Sequence, residues 1–240
     1  MRRRFSRLAV PFTAAWSLLT ASDGLALDPR KAISQYSLSV WREDEGLVYN
    51  TVQTLAQTSD GYLWLGTLEG LVRFDGVRFR TFDRSNTPQL PNNDIQSVIA
   101  AKDGGLWVAA YGGGVARYRD GAFEAFGVAQ GLQSPTVTDI AEDAEGGLWL
   151  GTTTGLHLLR DKKFTTFTTA DGLAHDSVRR LYVDRTGTLW VATEGGLDHR
   201  EGRQFVHHAT HEGLPSDSIQ SFVEDAKGTL WVGTERGLAR

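Results

Sequence analysis

The sequence predicts an all-β fold, a β-propeller of about five four-stranded blades near 42 residues each, the last incomplete. Three observations carry that prediction. Trp64, Trp107, Trp149, Trp190 and Trp231 recur at steps of 43, 42, 41 and 41 residues. Seventeen positions before each stands Leu47, Leu90, Leu132, Leu173 or Leu214. After each comes a Gly-aliphatic pair, ending at Leu71, Val115, Leu156, Leu197 or Leu238, and then a fourth-strand pair such as Phe79/Phe82, Phe123/Phe126 or Phe164/Phe167.

Each element follows from its composition. In the first unit "TVQTLAQT", "YLWLGT", "LVRFDG" and "RFRTF" are short runs of β-branched, aromatic and leucine side chains, separated by "SDG", "LEG" and "DGV". Such runs between turn residues are strands. No 3.6-residue apolar period marks a helical repeat. The turn between first and second strands carries Gly61, Gly104, Gly146, Gly187 or Gly228 three residues before Trp. Positive φ in a tight hairpin costs glycine nothing. Asp143, Asp184 and Asp225, six before their Trp, read as turn-formers. In the second strand the indole faces a neighbouring blade. Burying it is worth roughly 4–6 kcal/mol as an upper bound, so the five tryptophans are structural.

The ends keep the same phase. "ISQYSLSVWREDEGL" puts Leu38 and Trp41 where other units have their fourth-strand aromatics, which predicts a lone outer strand near 35–46. The blade units are then 47–89, 90–131, 132–172, 173–213 and an incomplete 214–240, which has two strands and the start of a third. Ahead of them, "MRRRFSR", an apolar run at 8–20 and Gly24-Leu25-Ala26 form a secretory signal over 1–26, cut near Ala26. The repeat domain is assigned to 27–240, and the product to the periplasm or exterior. Cleavage removes four arginines and Asp23, making a chain of formal charge −4 more acidic. An acidic chain has no electrostatic attraction to nucleic acid. No later segment is long and apolar enough for a helical membrane span. Cysteine is absent, so neither disulfide nor thiolate metal site is available.

The phrases "DGYLWLGTLEGLVRFDG", "EGGLWLGTTTGLHLL" and "EGLPSDSIQSFVEDAKGTLWVGTERGL" resemble the two-component regulator propeller repeat over about residues 35–240. The resemblance implies the periplasmic sensor region of a hybrid histidine kinase or diguanylate cyclase. Such proteins have seven-bladed propellers followed by a β-sandwich, one membrane helix and an output domain. On that pattern this chain is an open arc of a larger propeller, truncated before the remaining blades, sandwich and output domains.

No catalytic constellation is expected, and no cofactor. "HHATH" with His199 invites a metal, yet His208 takes a fourth-strand aromatic slot and adjacent His207 points to the other face; no metal site is assigned. "YGGGVARY" at 111–118 lacks the helix and Lys-Ser/Thr of a phosphate cradle. It reads as a blade turn with one inserted residue, taken to account for the step of 43. Acids and serines show neither a paired dyad nor a nucleophile elbow.

Function is therefore sought on the rim, where the loop before the first strand and the loop after the second share one face. Residues there vary between otherwise uniform units. Tyr49, Tyr111 and His175 are candidates to stack on a sugar-like or aromatic ligand. Asn50, Glu69, Asn93, Asp176, Glu194, Asp217 and Glu235 are candidates to hydrogen-bond it. The expected function is a non-catalytic sensory segment binding a small molecule or glycan. The alternatives are a protein-interaction module, a truncated gene product, or a propeller lyase.

Overall fold

A computed structural model describes residues 39–240; the signal at 1–26 and Leu38 lie outside them. The described chain is all-β, five antiparallel sheets in sequence order. Blade 1 comprises β1 (Val52–Gln57), β2 (Leu63–Thr67), β3 (Leu71–Phe74) and β4 (Phe79–Phe82). Blade 2 comprises β5 (Ile95–Ala100), β6 (Leu106–Ala110), β7 (Gly114–Arg119) and β8 (Ala122–Phe126). Blade 3 is β9 (Val137–Glu142), β10 (Leu148–Thr152), β11 (Gly155–Arg160) and β12 (Lys163–Phe167). Blade 4 is β13 (Val178–Val183), β14 (Leu189–Thr193), β15 (Gly196–Glu201) and β16 (Gln204–His208). Blade 5 has β17 (Ile219–Glu224), β18 (Leu230–Thr234) and the short β19 (Gly237–Ala239). First strands meet in the series β1, β5, β9, β13, β17, as successive propeller blades require.

The recurring tryptophan joins blades. Trp64 packs against Leu90, Ile95, Val98, Leu106 and Val108 of blade 2. Trp149 meets Leu173, Val178, Leu181, Leu189 and Val191 of blade 4 in the same way. From blade 2 onward, the leucine seventeen residues ahead of the Trp thus joins the cluster of the preceding blade's indole. Two glycine positions permit this geometry. Those three residues before Trp all have φ between 80° and 89°. At Gly66, a Cβ would sit 2.8 Å from Ile95 Cγ2 of the next blade, and at Gly151, 2.7 Å from Val178 Cγ1. The same second-strand position holds Ala109 and Ala192 in blades 2 and 4. Only a small residue lets the next first strand come this close.

The aspartates six before Trp do more than form turns. Asp184 Oδ1 accepts from the backbone N of Thr186 and Thr188, while Oδ2 accepts from Trp190 Nε1 at 2.9 Å. Asp143 and Asp225 hold Trp149 and Trp231 likewise, at 3.1 and 3.0 Å. The indole N–H helps keep the Asp225 carboxyl below the usual carboxylate range. In blade 1 Thr58 Oγ1 accepts from Trp64 Nε1 at 3.0 Å. Blade 2 has Ala101 there, and the buried Trp107 Nε1 has no partner. Ala101→Asp is expected to stabilise the protein by about 1 kcal/mol, read as a higher urea midpoint with an unchanged m-value; the Arg117 guanidinium, 5.0 Å from the Trp107 ring centre, offsets the new charge.

Two expectations need revision. The inserted residue near Tyr111 is real, three residues (111–113) linking β6 to β7, but it falls after Trp107 and lengthens the step of 42. The step of 43 arises from the loop at 83–89, two residues longer than the equivalent stretch between Phe126 and Leu132. There Asp83 Oδ1 accepts from Ser85 N at 2.7 Å, replacing the single 3-10 turn (Val128–Gln130) of the next connection. At the N-terminal end, the described part of 35–46 carries no strand, only a 3-10 turn at Glu43–Glu45. A strand needs a hydrogen-bonded neighbour, and no described strand pairs with this stretch. Trp41 instead packs edge-on against Phe74 with ring centres 5.1 Å apart.

Candidate functional site

One feature repeats in the first strand of every blade. The register of β1 on β2 slips between Val52 and Thr54, that of β5 on β6 between Ile95 and Ser97, and that of β13 on β14 between Val178 and Arg180. The same slip occurs between Ile219 and Ser221, and opposite Gly151/Thr152 in blade 3. The extra residues are Gln53, Gln96, Thr138, Arg179 and Gln220, each eleven before its Trp. A bulge re-aims its side chain out of the alternating pattern. The preceding Ile95, Val137, Val178 and Ile219 are buried in the blade packing, so the bulged residues are presented on the other side.

Four of these positions converge on a cavity of about 190 Å³ shared by blades 2 to 5. Gln96, Thr138, Arg179, Arg180, Gln220 and Tyr111 line it. Several are anchored at one end. Gln96 Nε2 donates to Asp94 Oδ1 at 2.6 Å, and Gln220 Nε2 to Ser218 Oγ at 3.1 Å. Thr138 Oγ1 donates to Val178 O at 2.8 Å. Arg179 donates to Glu194 at 2.6 Å, and Arg180 Nη1 to Arg179 O at 2.9 Å. The amide oxygens of Gln96 and Gln220 are left as acceptors, and Arg180 keeps further donors. Such a set, beside the half-exposed ring of Tyr111, suits a polar molecule with hydroxyl groups and a flat face.

Asp139 ties this mouth together. It accepts from Ser97 Oγ of blade 2 at 2.9 Å and from Leu181 N of blade 4 at 3.0 Å. Burial pushes its carboxyl above the ordinary range, against the pull of those hydrogen bonds and Arg180.

The rim residues named from sequence divide into two groups. Tyr111 lines the cavity, and Glu194 reaches it through Arg179. Asn50, Asn93, Asp176 and Asp217 each spend a side-chain oxygen on the fold, accepting from the backbone N of Glu43, Arg84, Thr169 and Thr210. Their common place fourteen before Trp is thus a clamp on the incoming loop. His175 Nδ1 accepts from Ser177 N at 3.0 Å. Glu69 and Glu235 are exposed at turn tips, and Tyr49 is half-buried in the first loop; none of the three lines the cavity. Sequence reasoning missed Gln96, Thr138, Arg179, Arg180 and Gln220. Their signal was a variable position inside a regular strand, hidden because period-two alternation does not reveal a bulge.

Among the described residues no group of three or more His, Asp or Glu is placed to hold a metal ion. His199 Nδ1 lies 2.9 Å from His208 Nε2 and the two rings stack, while His207 pairs with buried Asp198 at 3.1 Å.

Known proteins share the blade architecture. No curated protein matches the chain. Among solved structures, the extracellular domain assigned to the hybrid two component system BT3049 of B. thetaiotaomicron shares 25% identity at TM-score 0.72, over 83% of this chain and 30% of that one. The extracellular domain assigned to BT4673 of the same organism shares 28% at TM-score 0.66, over 78% and 27%. This chain therefore spans less than a third of those chains' length. Virginiamycin B lyase from Staphylococcus aureus shares the fold, at 13% identity and TM-score 0.61 over 78% and 64%. Two component regulator propeller repeats match residues 46–69, 89–112, 131–154, 172–195 and 213–236, half of the chain and one repeat per blade, and the protein belongs to that family.

Proposed function

We propose that this chain is the ligand-sensing part of an extracytoplasmic two component-type receptor, binding a small polar molecule or glycan at the mouth where the bulged residues meet. The observation that carries the reading is the convergence of Gln96, Thr138, Arg179 and Gln220, one from each of four blades, on one cavity beside Tyr111. A uniform repeat has no packing need for three different residue types at that one position. Family membership supports a sensor role, and the extracellular origin of BT3049 and BT4673 supports placement outside the cytoplasm. The lyase likeness, at 13% identity, speaks only for the fold. The site is read as binding without turnover.

A thermal-shift screen of neutral and acidic oligosaccharides tests this. Ligand at a hundred times its Kd stabilises by about 2.7 kcal/mol, and Tyr111→Ala or Arg180→Ala is expected to abolish that shift while the ligand is recovered unchanged. Stabilisation that survives both substitutions places binding elsewhere, and consumption of the ligand makes the protein an enzyme. A silent panel removes glycans as the ligand class.

An interaction module is the second reading, favoured by one observation. Val223 and Leu238 of blade 5 are 60% and 62% exposed, although Leu71, Val115, Leu156 and Leu197 at the position of Leu238 are buried against a following blade.

A further inference from the structure

On the sheet edge opposite the bulged residues, a cavity of about 420 Å³ opens between blades 3 and 4. The turn from β9 to β10, the turn from β13 to β14 and the end of β15 surround it, so it is separate from the mouth described above. Its walls carry Trp149, Leu158 and Leu189, with Asp143, Arg160 and Arg200 at the polar side. That volume is within the range of small-molecule sites.

Arg200 is the anomaly. It follows His199, the partner of Trp190, and so stands in the place that Phe74, Tyr118 and Leu159 hold after Arg73, Arg117 and Leu158 in the first three blades. In blades 2 and 3 the side chain there packs toward the preceding blade, Tyr118 on Trp64 with ring centres 4.9 Å apart and Leu159 in the cluster of Trp107. Here a guanidinium lies instead over Trp149, with Cζ 4.9 Å from the ring centre, and 5.8 Å from that of Phe167. Its Nε is buried without a hydrogen-bond partner. Arg117 and Arg160 also have an unanswered Nε, but each is paired to a carboxylate, Asp103 or Asp143. Among the described residues no ion pair reaches Arg200. The acids beside it are already occupied, since Arg160 bonds to both Asp143 and Glu145. One cation is therefore held by aromatic stacking with its hydrogen-bonding fork unused.

We propose that this cleft is a second ligand site, taking a small organic monocarboxylate whose acid group meets the Arg200 fork and whose apolar body lies along Leu158 and Leu189. A planar guanidinium matches a carboxylate bidentately. A multiply charged anion fits less well, because Asp143 and Glu145 stand on the same wall.

Phenylacetate is a suitable probe, with phenylacetamide and inorganic phosphate as the comparison arms. Binding is followed through the indole N–H signal of Trp149, assigned by its loss in Trp149→Phe. Phenylacetate is expected to shift that signal saturably, and the uncharged amide and phosphate to bind at least about tenfold more weakly. Arg200→Tyr restores the aromatic that blade 2 uses, so it keeps the packing and removes only the fork; it is expected to raise the phenylacetate Kd at least about tenfold. Equal binding of acid and amide, unaltered binding in Arg200→Tyr, or no response to phenylacetate in the millimolar range overturns the proposal. Phosphate binding as tight as phenylacetate overturns the monocarboxylate assignment.

Discussion

His157→Val will remove about 3 kcal/mol of the stability difference between pH 7 and pH 4. His157 has no exposed surface. Its ring lies between Thr152 Oγ1 at 3.2 Å and Thr166 Oγ1 at 3.0 Å, with no carboxylate in hydrogen-bond reach. Burial pulls its pKa from 6.5 down to about 4. The unfolded chain then binds a proton through this window that the native chain refuses. Native stability from this group is complete above pH 6.5 and is lost progressively as pH falls to about 4. Asp139 and Asp198, pushed up by burial, act in the opposite sense below neutrality, but they are present in both proteins and cancel in the comparison. Urea titrations of both proteins at pH 7, 5.5 and 4 give the difference directly. Parallel pH dependences would mean that His157 ionises freely in the folded state. Valine is the natural replacement, because Val72 stands at this register in blade 1.

The second large effect concerns the indoles. Trp149→Ala is expected to cost about 3–5 kcal/mol, and Trp231→Ala only roughly 1–2 kcal/mol. The two residues share their hydrogen bond, to Asp143 and Asp225. They differ in what lies above them. Trp149 is 1% exposed beneath blade 4, whereas Trp231 is partly exposed on the outward side of blade 5. Chemical unfolding of both variants separates packing between blades from the local hairpin contribution. Equal losses would show that the hairpin, and not the neighbouring blade, gives the residue its worth.

Much of this was legible because each blade solves one problem in the same way. The Trp ruler located all five second strands, and the positive-φ glycines located the hairpins before them. The start of a third strand in blade 5 appears as β19. The site was less legible. Asn50, Asn93, Asp176 and Asp217 vary between amide and acid, which resembles specificity, yet both types accept the same backbone hydrogen bond. Arg179 and Gln220 sit inside regular-looking strands, and their exposure depends on a slipped register that composition does not encode. Arg200 escaped notice for a simpler reason. Its meaning comes from the apolar residues it replaces across three other sheets, a comparison of columns and not of neighbours.

The recurrent slip has an evolutionary consequence. A side chain on an extra residue belongs to no rung of the ladder, so exchanging it disturbs neither the strand pairing nor the tryptophan layer. Each blade therefore contributes one letter that can be rewritten with the ladder intact, and on the proposed reading a lineage alters what the mouth recognises by single codon changes while the scaffold stays as it is.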